Sequence, residues 1–148
     1  MKNINLQRAT ADDVDIFVLL EKSVVGVKTY SGIVEKDEAE KEIEENIVYI
    51  IKLDDLAVGN IEYKMEDKDT AYLGGLVVLP DFQGQGIARE AIKQILEKIG
   101  DVKKIHLVTH PHNSSAIKLY LSFGFVIDGW KDNYFGDGEP RIVMSKIK

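Results

Sequence analysis

The chain has 148 residues, no cysteine and a formal net charge of −6 with a pI near 5.1. That length suits one domain with a proper core. The missing cysteines exclude disulfides, a thiolate zinc site and a cysteine nucleophile, and the acidic balance argues against a binder of phosphate backbones, which is normally basic.

Hydrophobic and charged shares of 45% and 30% are those of a soluble globular protein. Met1 to Asn5 has no apolar signal core, and no apolar run approaches membrane-spanning length. The expectation is a single cytoplasmic domain over residues 1–148, without membrane or nucleic-acid partners.

Ile4 to Arg8 alternates as a first, half-buried strand. Thr10 is placed to cap a helix over residues 11–22, with Asp12 and Asp13 at its positive end and Val14, Phe17, Val18 and Glu21 on one face. Residues 23–34 have no clean period and contain Gly26 and Gly32, which reads as a loop. Residues 35–46 are acidic with Lys36 and Lys41 interspersed, and Ala39, Ile43 and Ile47 supply a thin apolar stripe, predicting a second helix. A β-rich run over 47–53, a turn at Asp54-Asp55 and a second arm over 56–65 make a hairpin.

The polar residues 66–69 then lead into the central strand, which opens at Ala71 and stops before Pro80, a residue with no N–H to donate. Gly84 and Gly86 follow. From Ile87 the apolar positions Ala88, Ala91, Ile92, Ile95 and Ile99 fall at helical spacing up to Gly100. Residues 103–109 form a strand parallel to the central one, because a helix crosses over between them. Pro111 ends it, Asn113 or Ser114 caps a short helix through Leu121, and Phe123 to Ile127 opens another strand. Gly136-Asp137-Gly138 is a hairpin turn before a last strand over 141–144. The order βααβββαβαββ is an α+β chain with a mixed, mostly antiparallel sheet and one parallel pair.

A strand, a glycine turn and a helix leave the first N–H groups of that helix directed at one spot, where the helix dipole also favours negative charge. This is an anion cradle suited to a pyrophosphate. It is not a Walker A loop, because Gly86 is followed by Ile87-Ala88 and not by Lys-Ser/Thr. The acidic residue that a dinucleotide fingerprint needs after the next strand is replaced by Thr109-His110.

Gln83-Gly84-Gln85-Gly86-Ile87-Ala88, with its Val-Val-Leu-Pro-Asp-Phe lead-in, resembles the acetyl-CoA loop Gln/Arg-x-x-Gly-x-Gly/Ala of the GNAT superfamily of N-acetyltransferases. Asn113-Ser114-Ser115-Ala116-Ile117-Lys118-Leu119-Tyr120-Leu121-Ser122-Phe123-Gly124-Phe125 resembles a second segment of that family, Asn-x-x-Ala-x-x-x-Tyr-x-x-x-Gly-Phe. The likeness runs from about Ile4 to Lys146, the first half by pattern alone.

The resemblance implies the GNAT fold with a splayed parallel strand pair, acetyl-CoA as co-substrate, and transfer of its acetyl group to a primary amine by direct attack in a ternary complex. It also implies site residues. Backbone of Leu76, Val77 and Val78 would pair with the pantetheine and supply an oxyanion donor, and the amides of Gly84, Gln85, Gly86, Ile87, Ala88 and Arg89, after Gln83, would hold the pyrophosphate. Asn113 would reach the pantetheine or thiol end, and Tyr120 would protonate the departing sulfur. Read singly, Asn113 is equally a helix cap and Tyr120 a half-buried aromatic. Gly74-Gly75 would permit a kink or mark a bulge.

Such chemistry needs a base, since an alkyl ammonium of pKa near 10.4 is neutral only about once in 2,500 molecules at pH 7. Some relatives place a glutamate on the central strand or on the strand after the acetyl-CoA helix, where this chain has Tyr72 and approximately Val108. His106, His110, Glu62 or a water chain are the alternatives. His106, His110 and His112 lack a further ligand at defined spacing, so no metal is expected. The acceptor, a small amine or a peptide or protein amine, is left open, and a homodimer is compatible with the chain. The contrasting reading is a non-catalytic acyl-CoA-binding or sensing domain, against which Tyr120 speaks. The acidic helix over 35–46 is either a solvated face or a border of the acceptor groove.

Overall fold

The computed structural model describes residues 3–24, 27 and 32–148, so half of the loop expected over 23–34 lies outside the described residues. The elements are β1 (Ile4–Arg8), α1 (Val14–Lys22), α2 (Lys36–Glu45), β2 (Ile47–Leu53), β3 (Leu56–Met65), β4 (Thr70–Val78), α3 (Ile87–Ile99), β5 (Lys104–Thr109), α4 (Ser114–Ser122), β6 (Val126–Lys131) and β7 (Arg141–Ile147). Short 3-10 turns occupy Ala11–Asp13 and Pro80–Phe82. This is the expected order. The strands lie in the sequence β1-β2-β3-β4-β5-β7-β6, with β4 and β5 as the parallel pair. The described residues group into two compact units, one within residues 1–25, 32–64 and 74–100, the other within 26–31, 65–73 and 101–148.

In the first unit the chain enters its first helix through a reciprocal cap. Thr10 Oγ1 accepts from the Asp12 N–H at 3.3 Å, and the Thr10 N–H donates to Asp13 Oδ2 at 2.9 Å. The cap tightens residues 11–13 into a 3-10 turn, so α1 itself begins at Val14. Val14, Phe17 and Leu20 of α1, Ala39 and Ile43 of α2, and Val48 and Ile50 of β2 form one buried cluster. α3 buries Ile87, Ala91, Ile92 and Ile95, and Gln94 Nε2 ties it to the Ile4 carbonyl at 2.7 Å.

β3 carries a bulge: Ile51 faces Gly59 while Lys52 faces Ala57, leaving Val58 as the extra residue. The Val58 carbonyl accepts the Leu79 N–H at 2.8 Å, and a Cβ on Gly59 would lie 2.1 Å from the Val77 oxygen. Only glycine fits there, which fixes the end of β4.

In the second unit β4 and β5 pair in parallel over Thr70↔Lys104, Ala71↔Ile105 and Tyr72↔His106, where the ladder ends. β5 pairs with β7 from Lys104↔Ile147 to Thr109↔Ile142. β6 begins at Val126 and not at Phe123, because Gly124 at φ 93° turns the chain and the N–H groups of Gly124 and Phe125 bond back to the Leu121 and Tyr120 carbonyls at 3.0 and 3.2 Å. The expected turn at Gly136–Gly138 is a longer loop over 132–140, organised by Asn133 at φ 47°, whose Oδ1 accepts the Gly138 N–H at 2.6 Å. β7 runs on to Ile147, past the expected end at Met144.

Candidate active site

The sequence-predicted site residues divide between the units. Leu76, Val77 and Val78 end β4, and Gln83 to Arg89 form the turn and first helical residues after it, all in the first unit. Asn113 and Tyr120 belong to α4 in the second.

Gly84 and Gly86 hold φ of +76° and +81°, a conformation that strains any side-chain-bearing residue, and an added Cβ at either would meet nothing within 4 Å. Gly86 is the N-cap of α3 and brings no side chain to cap it. The first intrahelical bond runs from the Glu90 N–H to the Gly86 carbonyl at 3.1 Å. The helix therefore starts behind open space with its dipole uncapped, and an anionic pyrophosphate fits that cradle. Gln83 is turned inward: its Nε2 donates to the Val78 carbonyl at 3.0 Å, so its side chain fastens the loop to the end of β4.

The α4 N-terminus is built the opposite way. Asn113 Oδ1 accepts the Ala116 N–H at 3.3 Å, so the side chain is a cap whose amide nitrogen is its remaining donor. Tyr120 is buried, with its ring edge-on to Phe125 at 5.7 Å between centroids.

Among the candidate bases, His110 is 1% exposed and both ring nitrogens are engaged. The His112 N–H donates to Nδ1 at 3.0 Å, which puts the proton of the neutral ring on Nε2, where it donates to Glu139 Oε1 at 2.8 Å. Neither nitrogen keeps a lone pair for a substrate proton. His106 Nε2 is bound to Glu66, and the ring lies edge-on to Tyr72. Among the described residues no group of three His, Cys, Asp or Glu is placed to hold a metal.

Glu62 differs from these. It is buried on β3, and among the described residues its Oε2 has no hydrogen-bond partner of normal geometry. Burial first, then the charge of Glu42 and a hydrogen bond shared with it, then Glu21, push its carboxyl well above the usual range, and the Gly75 backbone N–H pulls the other way. Gly74 is explained by this side chain, because a Cβ there would lie 2.8 Å from Glu62 Cγ, whereas one on Gly75 would sit at an ordinary contact distance of 3.5 Å from Glu62 Oε1. Gly74 makes room for a buried glutamate.

Two members of this group went unread in the sequence. Glu21 was legible on the apolar face of α1 but not as a site residue, and Asn60 carried no signal beyond sharing a strand face with Glu62 at spacing two.

A model described as "Acetyltransferase (GNAT) family" matches residues 16–125. No curated protein matches the sequence significantly. Among solved structures, the ribosomal-protein-S18-alanine N-acetyltransferase of Escherichia coli is similar at a TM-score of 0.82 with 21% identity, covering 98% of this chain and 94% of that one. An Elizabethkingia anophelis GNAT acetyltransferase with acetyl-CoA bound gives 0.77 with 20% identity and 99% coverage of both chains. A chimeric spermidine N-acetyltransferase from Vibrio cholerae gives 0.80 with 22% identity over 97% of this chain and 95% of that one. Among the described residues no helix is long and apolar enough to cross a membrane.

Proposed function

Because the chain belongs to the acetyltransferase (GNAT) family of acetyl-CoA-dependent enzymes, we propose that it acetylates a primary amine by direct attack within a ternary complex, using residues 1–148 as one catalytic domain. The family match at 16–125 draws on segments of both units, which supports the single-domain reading. The observation that carries the function is the uncapped N-terminus of α3 behind two left-handed glycines with open space above them.

Acetyl-CoA supplies an acetyl group already activated as a thioester. The backbone amides of Gly84, Gln85, Gly86, Ile87, Ala88 and Arg89 hold its pyrophosphate, with Gln83 fixing the turn through Val78. Leu76, Val77 and Val78 offer strand backbone to the pantetheine and an N–H donor where negative charge develops on the carbonyl oxygen. Asn113 uses its remaining amide donor near the thiol end, and the Tyr120 hydroxyl gives a proton to the departing sulfur.

Gly86→Asp tests the cradle. The substitution puts a negative charge where the anion sits, and the space around Gly86 leaves the fold intact apart from backbone strain of about 1 kcal/mol. Calorimetry is expected to find acetyl-CoA binding weakened beyond detection in a protein whose circular dichroism is unchanged. Wild-type affinity in the folded variant overturns the assignment.

A further inference from the structure

In the second unit the connection from β5 to α4 carries more pairing than a connection needs. The Asn113 N–H donates to the His110 carbonyl at 2.9 Å, closing a β-turn with Pro111 at its second position. The Ser114 N–H donates to the His112 carbonyl at 2.9 Å, and Asn113 between them sits at φ −82° and ψ 69°, the inverse γ conformation. Asn113 thus enters the helix through two overlapping turns, and the geometry of residues 110–112 decides where its side chain is carried.

The His110 ring adds a third tie. Its Nδ1 accepts the His112 N–H at 3.0 Å, the bond that an Asp or Asn side chain makes at the first position of such a turn. Asp or Asn would suffice for that bond alone. An imidazole has a second nitrogen on the far side of its ring, and here Nε2 donates to Glu139 Oε1 at 2.8 Å, in the loop before β7. The ring is 1% exposed and lies edge-on to His112 at 5.1 Å between centroids, so bulk solvent does not stand in for either partner.

The tautomer links the two bonds. A neutral imidazole carries one ring N–H, and the His112 N–H aimed at Nδ1 is satisfied only when that hydrogen is on Nε2. The Glu139 carboxylate, an acceptor alone, holds it there. Glu139 is set in turn, because its backbone N–H donates to Asp137 Oδ1 at 2.9 Å and Asp137 Oδ2 accepts from Arg141 at 3.2 Å. The order of the 132–140 loop therefore passes through one imidazole into the turn that presents Asn113.

We propose that His110 and Glu139 are a positioning pair for the acetyl-CoA site: Glu139 fixes the His110 tautomer, His110 fixes the turn, and the turn delivers the Asn113 amide to the pantetheine or thiol end. This rests on the acetyl-transfer reading and adds to it two residues that act without touching substrate.

The test follows acetyl-CoA by calorimetry. Asn113→Ser keeps a capping oxygen and removes the amide donor, so it isolates the contact made by Asn113, and acetyl-CoA should bind about three- to tenfold more weakly, the weight of one hydrogen bond. Glu139→Leu removes the acceptor, and His110→Gln reaches Glu139 but not the turn. Each should weaken acetyl-CoA by a similar factor, and neither should weaken it further in the Asn113→Ser background, because both act through Asn113. Conservative replacements should recover most of the affinity. Glu139→Gln still offers an oxygen to the Nε2 hydrogen, and His110→Asn places an oxygen where Nδ1 stood. Nitrogen-15 NMR of ring-labelled histidine reports the tautomer: the His110 signals, identified by their absence from His110→Gln, should show the hydrogen on Nε2 in wild type and a mixture in Glu139→Leu.

Additive losses in the double variants, wild-type affinity in folded His110→Gln and Glu139→Leu, or an Nδ1–H tautomer in wild type overturns the proposal. Glu139 is half-buried, so its variants give a readout if His110→Gln fails to fold. A wild-type chain that does not bind acetyl-CoA defeats the acetyl-transfer reading. Binding that Asn113→Ser weakens and the His110 and Glu139 variants leave alone defeats the positioning pair and spares that reading. Binding indifferent to Asn113→Ser removes Asn113 from the site and the positioning pair with it.

Discussion

The two units treat buried charge in opposite ways. In the second, Arg141 is 2% exposed yet paired: Nη2 donates to Asp137 Oδ2 at 3.2 Å, Nη1 donates to the Pro140 carbonyl at 3.0 Å, and the guanidinium lies 5.0 Å from the Phe135 ring. His110 is answered by Glu139. Asp137, held by the Glu139 backbone N–H and then by Arg141, keeps its carboxyl below the usual range. In the first unit the buried acids Glu21 and Glu62 face other acids, and their carboxyls are pushed up. Paired burial organises the 132–140 loop. Burial of acids beside acids, with no ion pair to a cation among the described residues, costs the first unit stability once they ionise.

Arg141→Ala is the largest expected blow to stability. It leaves a cavity, an unpaired Asp137 and an unpaired carbonyl, and urea unfolding should show a loss of about 3 kcal/mol, the low end for a broken buried pair because Asp137 keeps some solvent. A loss under about 1 kcal/mol would mean that the second unit does not depend on its charge pairing, and the contrast with the first would collapse.

Tyr120→Phe asks whether the second unit also does chemistry. The variant keeps the ring against Phe125 and removes the hydroxyl. A thiol near pKa 8.5 leaves tolerably without help, so turnover should fall by about 10²-fold with acetyl-CoA binding retained. A purely structural hydroxyl predicts instead a loss of roughly 1 kcal/mol in stability with turnover intact. Single-turnover rates and melting curves on one preparation decide between them, and wild-type turnover in the Phe variant assigns the proton to water.

Local signals made most of the fold legible. The cap at Thr10, the apolar stripe of α3 between two glycines, and the cap at Asn113 each act within a few residues, and the parallel β4–β5 pair follows from the crossover helix. The late start of β6 was harder, because a left-handed Gly124 can close a helix or sit in a strand and the sequence Phe-Gly-Phe allows both readings. The candidate site divides in the same manner. The cradle is a contiguous motif. The acidic cluster is assembled from residues 21, 42, 60 and 62 on three elements, so no spacing in the chain announces it, and Gly74-Gly75 read in the sequence as a kink or a bulge, not as room for Glu62. His110 looked available in sequence because its partners, the His112 N–H and Glu139, are set by loop conformation.

Glu21→Gln is the smallest change expected and the sharpest test of the contrast. Burial first, then Glu42, raise the Glu21 carboxyl from 4.5 to about 7. The folded chain therefore holds this proton more tightly than the unfolded chain, and stability falls as pH rises between those two values. The penalty is absent below about pH 4.5 and complete above about pH 7, with an upper bound of about 3 kcal/mol from the size of the shift. Glutamine carries no charge at any pH. The variant should match wild type near pH 5 and exceed it by about 1–2 kcal/mol at pH 8, the remainder being offset by an amide that also needs partners. Some slope should persist, because Glu62 titrates in the same cluster. Urea unfolding at the two pH values measures it. A variant that is less stable than wild type at pH 8 would mean that Glu21 is satisfied by the fold itself.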